Sequence, residues 1–172
     1  MATEQPLDPS EYRSALGGFA TGVTIVTTKI DGVAYGATVN AFTSVSIDPP
    51  LVLVSLDRRS NLCGRLAGRP FVVNVLERSQ ESLAWHFAGR SRFEPHEIPW
   101  KAVESDSPYA PLKGTVAAFH CDPWAEYDGG DHSLFIGEVR AFTRTYGDPL
   151  LFHSGMFSMT AENSRQGLHS TL

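Results

Sequence analysis

Thr38, Asn40, Phe42, Ser44 and Ser46 fall on alternate positions of one β-branched, small-residue stretch, Gly36-Ala-Thr-Val-Asn-Ala-Phe-Thr-Ser-Val-Ser46. Side chains alternate across a strand, so a strand here sets hydroxyls, one amide and one aromatic ring on a single face. The other face, Ala37, Val39, Ala41, Thr43 and Val45, is small and mostly apolar and suits a core. Hydroxyls around an aromatic make poor core, because each buried polar group needs a partner. They suit the holding of a flat, polar, hydrogen-bonding ring. The plain alternative is a strand whose polar face is wet.

Three further segments carry residue types that can bind or react. Ser55-Leu-Asp-Arg-Arg-Ser-Asn61 joins a strand to a helix start, where free backbone N–H groups and the hydroxyl and amide of Ser60 and Asn61 can meet an anion, or can merely cap the helix. Phe87-Ala-Gly-Arg90 follows a helix, and its small Gly89 beside Arg90 can bring a guanidinium to a phosphate, or can be a helix end with a solvated Arg. Gly129-Gly-Asp-His132 puts an imidazole at the start of a strand, exposed to a ligand or simply to water. The six histidines show no His-x-x-x-His pair, and Cys63 and Cys121 stand alone, so no metal site is expected. There is no Gly-x-Gly-x-x-Gly, no P-loop and no Gly-x-Ser-x-Gly elbow. Any nicotinamide or flavin chemistry here needs a fold other than the Rossmann type.

The elements that must position these residues are short. Asp8-Pro-Ser-Glu opens a helix carrying Tyr12, Ala15, Leu16 and Phe19 at helical spacing, ended at Gly17-Gly18. Gly22 to Ile30 reads as a strand, Asp31-Gly32 as a hairpin turn, and Val33 onward to Ser46 as its partner. Strands follow at Leu51 to Leu56 and Pro70 to Leu76, then a helix from Ser79, read as its cap, to Phe87. Ala88 to Pro111 has four prolines and no periodicity and reads as a long loop. Two long strands, Gly114 to Tyr127 and His132 to Thr145, flank a turn at Asp128–Asp131, and Leu150 to Phe157 is a last apolar piece. About six strands and three short helices in sequential hairpins predict a mainly β fold: a small antiparallel, Greek-key-like β-barrel with helices at its ends.

Composition sets the outer limits. With 172 residues, the chain fits one domain, with a core over residues 12–157 and a loose polar tail over 158–172. A net charge of −5 argues against nucleic acid as partner. No apolar run approaches the ~20 residues of a membrane span, and the first residues lack a basic-then-apolar leader, so a cytoplasmic protein with two reduced thiols is expected.

The order of the pieces resembles the short-chain flavin reductase family, the reductase components of two-component flavin-dependent monooxygenases. The resemblance rests on Phe19-Ala-Thr-Gly-Val-Thr-Ile-Val-Thr-Thr28, the stretch from Gly36 to Ser46 followed by Pro49-Pro50, Phe71-Val-Val-Asn-Val-Leu76, Phe87-Ala, Gly130-Asp-His132, Phe135-x-Gly-Glu-Val139 and Pro149-Leu-Leu-Phe-His-Ser-Gly155. It implies an FMN-binding split β-barrel and a homodimer with flavin near the subunit interface. It implies NADH or NADPH as hydride donor, FMN or FAD as acceptor, and a separate monooxygenase that uses the reduced flavin. By the same resemblance, Thr38, Val39, Asn40, Ala41, Phe42, Thr43 and Ser44 line the isoalloxazine ring. Ser55, Ser60 and Asn61 sit at the ribityl phosphate, and Phe87, Gly89 and Arg90 close over the flavin tail. His132 lies near the nicotinamide, to position it or supply a proton, and His153 and Phe157 belong to the last loop over the site. Two positions depart from the family pattern. Leu62 stands where a Thr is common, and the final loop reads Phe152-His-Ser-Gly155 without the family's Arg. A flavoprotein with fixed FMN that reduces another acceptor, and a flavin-binding module without turnover, are the other readings open at this point.

Overall fold

A computed structural model describes residues 7–158; the tail expected to be loose lies outside that range, except for residue 158. In chain order the elements are α1 (Pro9–Gly17), β1 (Thr21–Gly22), β2 (Thr24–Ile30), β3 (Val33–Val39), β4 (Phe42–Ile47), β5 (Pro50–Asp57) and α2 (Cys63–Leu66). There follow β6 (Phe71–Val75), α3 (Glu81–Phe87), β7 (Ala117–Gly129), β8 (His132–Arg144), β9 (Leu151–His153) and β10 (Met156–Ser158).

The starts and stops follow local chemistry. Asp8 accepts from the Ser10 N–H at 2.7 Å and opens α1, with Pro9 in the first turn. Asp31 and Gly32 both take positive φ, 50° and 81°, the backbone of a tight turn matched to strand twist. Ser79 does not cap the next helix. The Glu77 carboxylate accepts the Ser79 N–H at 2.7 Å, and Gln80 accepts the Glu77 N–H at 3.0 Å, so a capping box leads through a 3-10 turn at Arg78–Gln80 into α3.

Seven strands form one antiparallel sheet in the order β3-β2-β6-β7-β8-β5-β4, and β1-β9-β10 form a second. The two edge strands of the large sheet, β3 and β4, are consecutive in the chain and joined only by Asn40 and Ala41. The sheet therefore curls until its edges face each other without pairing, which is a split barrel. The single strand expected over residues 36–46 breaks at this point: Ala41 O accepts from the Ser55 N–H at 3.0 Å, and Phe42 begins a new pairing with β5. A register shift between Ser44 and Ser46 breaks the alternation again. Of the face expected in the core, Val39 is buried and Ala37 packs against the core, whereas Ala41, Thr43 and Val45 are exposed. Among the described residues ten strands replace the six expected, because Asn40–Ala41 splits one strand in two, the apolar piece at 150–157 is itself a hairpin, and Thr21–Gly22 pairs with it as a separate strand rather than continuing β2.

Two cores lie on either side of β2 and β6. Val26, Val54, Leu62, Phe71, Val73 and Phe135 fill the curl, while Val23, Ile25, Leu76, Leu83 and Leu112 pack under α3. Strands buried on both faces read as continuous runs, which is why residues 23–28 are all buried. Polar residues in these strands tie down the long loop. Asn74 donates to Ile25 O at 2.9 Å and accepts from the Leu112 N–H at 2.9 Å, and Thr27 donates to Ala110 O at 2.7 Å. No helix among the described residues is long and apolar enough to cross a membrane.

Candidate active site

Three segments frame a cleft of about 920 Å³: β3 from Val33 to Thr38, residues 59–62, and the chain from His86 to Trp100. Gly36 sets its width. A Cβ there would lie 2.7 Å from the Phe87 ring, so only glycine lets that ring lie against the β3 backbone. The Thr38 hydroxyl donates to Ala84 O at 2.6 Å and fastens β3 to α3. Trp100 meets the edge of Phe87 at 6.0 Å. Because β3 pairs only with β2 among the described residues, the backbone groups on its other side have no strand partner there and can serve a ligand.

A smaller cavity of about 350 Å³ adjoins the first and shares Thr38 and Ala88 with it. Arg90 lies over the Trp85 ring at 4.2 Å, a cation–π contact, and Trp85 is held by its N–H to Glu81 at 3.1 Å. Phe157 meets Trp85 at 4.8 Å and Phe152 at 5.4 Å, so the β9–β10 hairpin forms part of this wall.

Of the residues singled out from sequence, Thr38, Ser60, Asn61, Phe87 and Gly89 line the larger cavity, and Thr38, Asn40, Arg90 and Phe157 the smaller. The others stand elsewhere in this single chain. The Val39 side chain is in the core, and its carbonyl accepts from Thr24. Ala41 is exposed, Phe42 stacks on Phe119 at 5.8 Å, Thr43 and Ser44 are exposed, and Ser55 is half-buried in β5. His132 begins β8 opposite Asp57, with Nδ1 2.7 Å from Asp131, and His153 is exposed on β9; neither lines a cavity described above.

α2 is a single turn, too short for the helix-start anion site expected at residues 55–61. What that segment offers is side chains. Ser60 Oγ accepts from the Cys63 N–H at 3.2 Å, and the Arg59 guanidinium, which also lines the cleft, is held by Asp57 at 2.7 Å. The side-chain hydrogen bond from Arg59 keeps the Asp57 carboxyl well below the usual carboxylate range. Sequence reasoning missed Arg59, Trp85, His86 and Trp100 as wall residues. Trp85 and His86 directly precede the Phe87-Ala pair, and Trp100 is an aromatic in a proline-rich loop; only folding brings them together. Among the described residues, no group of three His, Cys, Asp or Glu is placed to hold a metal.

A flavin fits these residues. The larger cavity has the volume of a site for a nucleotide-sized molecule, with an aromatic ring and an unpaired strand edge to hold a flat ring, and hydroxyl, amide and guanidinium groups at residues 59–61 for a phosphate.

The flavin reductase like domain model matches residues 16–161. The NADH-dependent FMN reductase SmoA of Agrobacterium fabrum is 39% identical over 148 residues, covering 85% of this chain and 83% of its own. The reductase component of a 4-nitrophenol and 4-nitrocatechol monooxygenase from Rhodococcus opacus is 38% identical over 156 residues, covering 89% and 82%. Among solved structures, the NADH:FAD oxidoreductase SgcE6 of Streptomyces globisporus C-1027, in complex with NAD and FAD fragments, superimposes with a TM-score of 0.82 at 36% identity, over 93% of this chain and 99% of that one. The chain thus belongs to the flavin reductase like domain family.

Proposed function

We propose that the chain is an NADH-dependent flavin reductase that supplies reduced FMN or FAD to a separate flavin-dependent monooxygenase. The observation that carries this is the pair of adjoining cavities, one walled by Phe87 and the β3 edge and the other by Trp85, Phe157 and Arg90, meeting at Thr38 and Ala88. Two flat rings seated there would face each other at that junction. When both cofactors are bound, the reduced nicotinamide supplies a hydride and the flavin accepts it. The protein's part is to hold the rings at reacting distance and to offer N–H donors where negative charge develops.

In this reading, Thr38, Asn40 and the unpaired β3 edge hold the isoalloxazine ring, with Val39, Ala41, Phe42, Thr43 and Ser44 contributing backbone groups or shaping the strand break. Ser60 and Asn61 take the ribityl phosphate, with Ser55 behind them. Phe87 and Gly89 cover the flavin tail from the larger cavity and Arg90 reaches it from the smaller, where Phe157 borders the nicotinamide with His153 outside on the same hairpin. His132 sits beside the Asp57–Arg59 pair, outside both cavities of its own chain, so its role at the nicotinamide requires a site completed by the second chain of the dimer. NADH is favoured as donor by the relatives' own activities; NADPH is the alternative donor.

The working assembly is a homodimer. What supports it is the apolar surface a single chain leaves bare: Tyr12, Leu16 and Phe19 on and after α1, Ile47 on β4, and Phe142 on β8 are all exposed. Two unpaired, buried thiols at Cys63 and Cys121 support a cytoplasmic setting.

The test is NADH oxidation by gel-filtered protein with and without added FMN. Fast oxidation that saturates in FMN is the expected result. Binding of flavin without any oxidation of NADH or NADPH would leave a flavin-binding module and sink the reductase reading.

A further inference from the structure

We propose that His86 is a positioning residue whose Nδ1 latches the loop wall of the flavin cleft. The identity of the cleft's occupant rests on the function proposed above; the latch itself does not.

The geometry begins at the end of α3. The Ala88 N–H donates to Ala84 O, the Gly89 N–H to His86 O, and the Arg90 N–H to Trp85 O, all within 3.1 Å. Gly89, at φ 89°, turns the chain out of the helix. The chain then passes back over α3, where His86 Nδ1 accepts two backbone N–H groups, from Arg92 at 3.1 Å and Phe93 at 3.2 Å. A ring nitrogen that accepts two N–H groups carries no proton, so the neutral ring has its proton on Nε2. The imidazole is set between two aromatic edges, Phe87 at 5.1 Å and Phe93 at 5.6 Å.

Two facts make this more than a packed histidine. Among the described residues, residues 91–93 have no hydrogen bond to the rest of the fold other than those to His86. The same loop forms one wall of the cleft: Ala88, Gly89 and Ser91 line it before the latch point, and Phe93, Glu94 and Pro95 at and after it. Phe93 also packs on the core under α3, so the wall is held by that packing and, at residues 91–93, by hydrogen bonds to one acceptor atom. Without it, two N–H groups lose their partner and the wall is held by the packing of Phe93 alone at that point, so it can shift off the cleft. That raises the cost of closing on the flavin, while the ring-to-ring geometry, once closed, is unchanged.

The experiment compares His86→Phe with His86→Asn. Phenylalanine keeps a ring between Phe87 and Phe93 but has no acceptor. Asparagine loses the ring, yet its Oδ1 stands as many bonds from the backbone as Nδ1 does. The readouts are KM for FMN, kcat with NADH, and amide hydrogen exchange at Arg92 and Phe93 without any cofactor. His86→Phe is expected to raise KM for FMN about tenfold with little change in kcat, and to lose protection at both amides; His86→Asn should restore both. Equal damage in the two variants would show that the ring alone matters and overturn the latch. Unprotected amides in the wild-type protein would overturn it too, whatever the enzyme turns over. Protected wild-type amides with loss in His86→Phe and recovery in His86→Asn would uphold the latch even if no flavin is reduced, so the latch and the reductase reading fail separately. Thermal melting checks that each variant folds; if His86→Phe does not, the wild-type exchange and the His86→Asn kinetics still decide.

Discussion

His120, on β7, shows how a single half-buried ring makes stability depend on pH. It lies against Tyr109, ring to ring at 4.9 Å, and faces Lys101. Burial, and then the Lys101 charge, push its pKa below the ordinary value of 6.5. The sign follows directly. As pH falls through about 6.5, the unfolded chain takes up a proton that the folded chain resists, so stability present above that pH is lost below it. The melting temperature should therefore drop between about pH 7 and pH 5, and His120→Phe should flatten that part of the profile. An unchanged slope in the variant would remove His120 as the cause. The nearby Asp122 is a second contributor at lower pH. Its carboxyl is held down by hydrogen bonds from Arg140 and Tyr109, so its stabilisation fades as pH approaches the carboxylate range.

At the scale of elements, the contact that sets the cleft is one strand edge against one helix end. β3 and α3 meet where Phe87 lies on Gly36, beside the Thr38 bond to Ala84 O. A methyl at residue 36 would strike the Phe87 ring and also crowd Thr27 at 3.2 Å. The ring is the softer partner, so Gly36→Ala should drive Phe87 out into the cleft. The expected result is a rise in KM for FMN of about tenfold and a stability loss of about 1–2 kcal/mol, read by steady-state kinetics and by urea denaturation. A loss of stability with no change in KM would mean that the Phe87 ring does not bound the flavin site.

For the whole molecule, the bare apolar residues divide between α1 and the outer strands. α1 has no buried residue, although its Tyr12 and Leu16 stand at core-like spacing. α1 touches the β9–β10 hairpin through the Gly17 carbonyl, which accepts from the Ser154 N–H, yet Tyr12 and Leu16 stay more than half exposed, which is the surface the proposed homodimer would cover. Sedimentation should give a particle of about twice 18.8 kDa. Phe142→Asp, on a ring that is 68% exposed in the single chain, should shift it toward the monomer without loss of the β-sheet signal. A monomer for the wild-type protein would contradict the homodimer.

The sequence by itself determined much of the local structure. The α1 cap at Asp8, the Asp31–Gly32 turn and the order of the β-branched runs are set by residues close in the chain, where propensity and turn chemistry act directly. The same local order carried the family resemblance, and with it Thr38, Asn40, Ser60, Asn61, Phe87, Gly89, Arg90 and Phe157, which the fold brings to two adjoining cavities. Tertiary structure decided the rest. Residues 36–46 keep a strand-like alternation throughout, and nothing in their types marks Asn40–Ala41 as the place where the chain passes from one edge of the sheet to the other. That break exists because a curled sheet of seven strands must bring its two edges together. The latch of His86 on residues 92 and 93, and the stack of Arg90 on Trp85 beside Phe157, depend in the same way on where distant or back-folded backbone comes to rest, which no local pattern of side chains encodes.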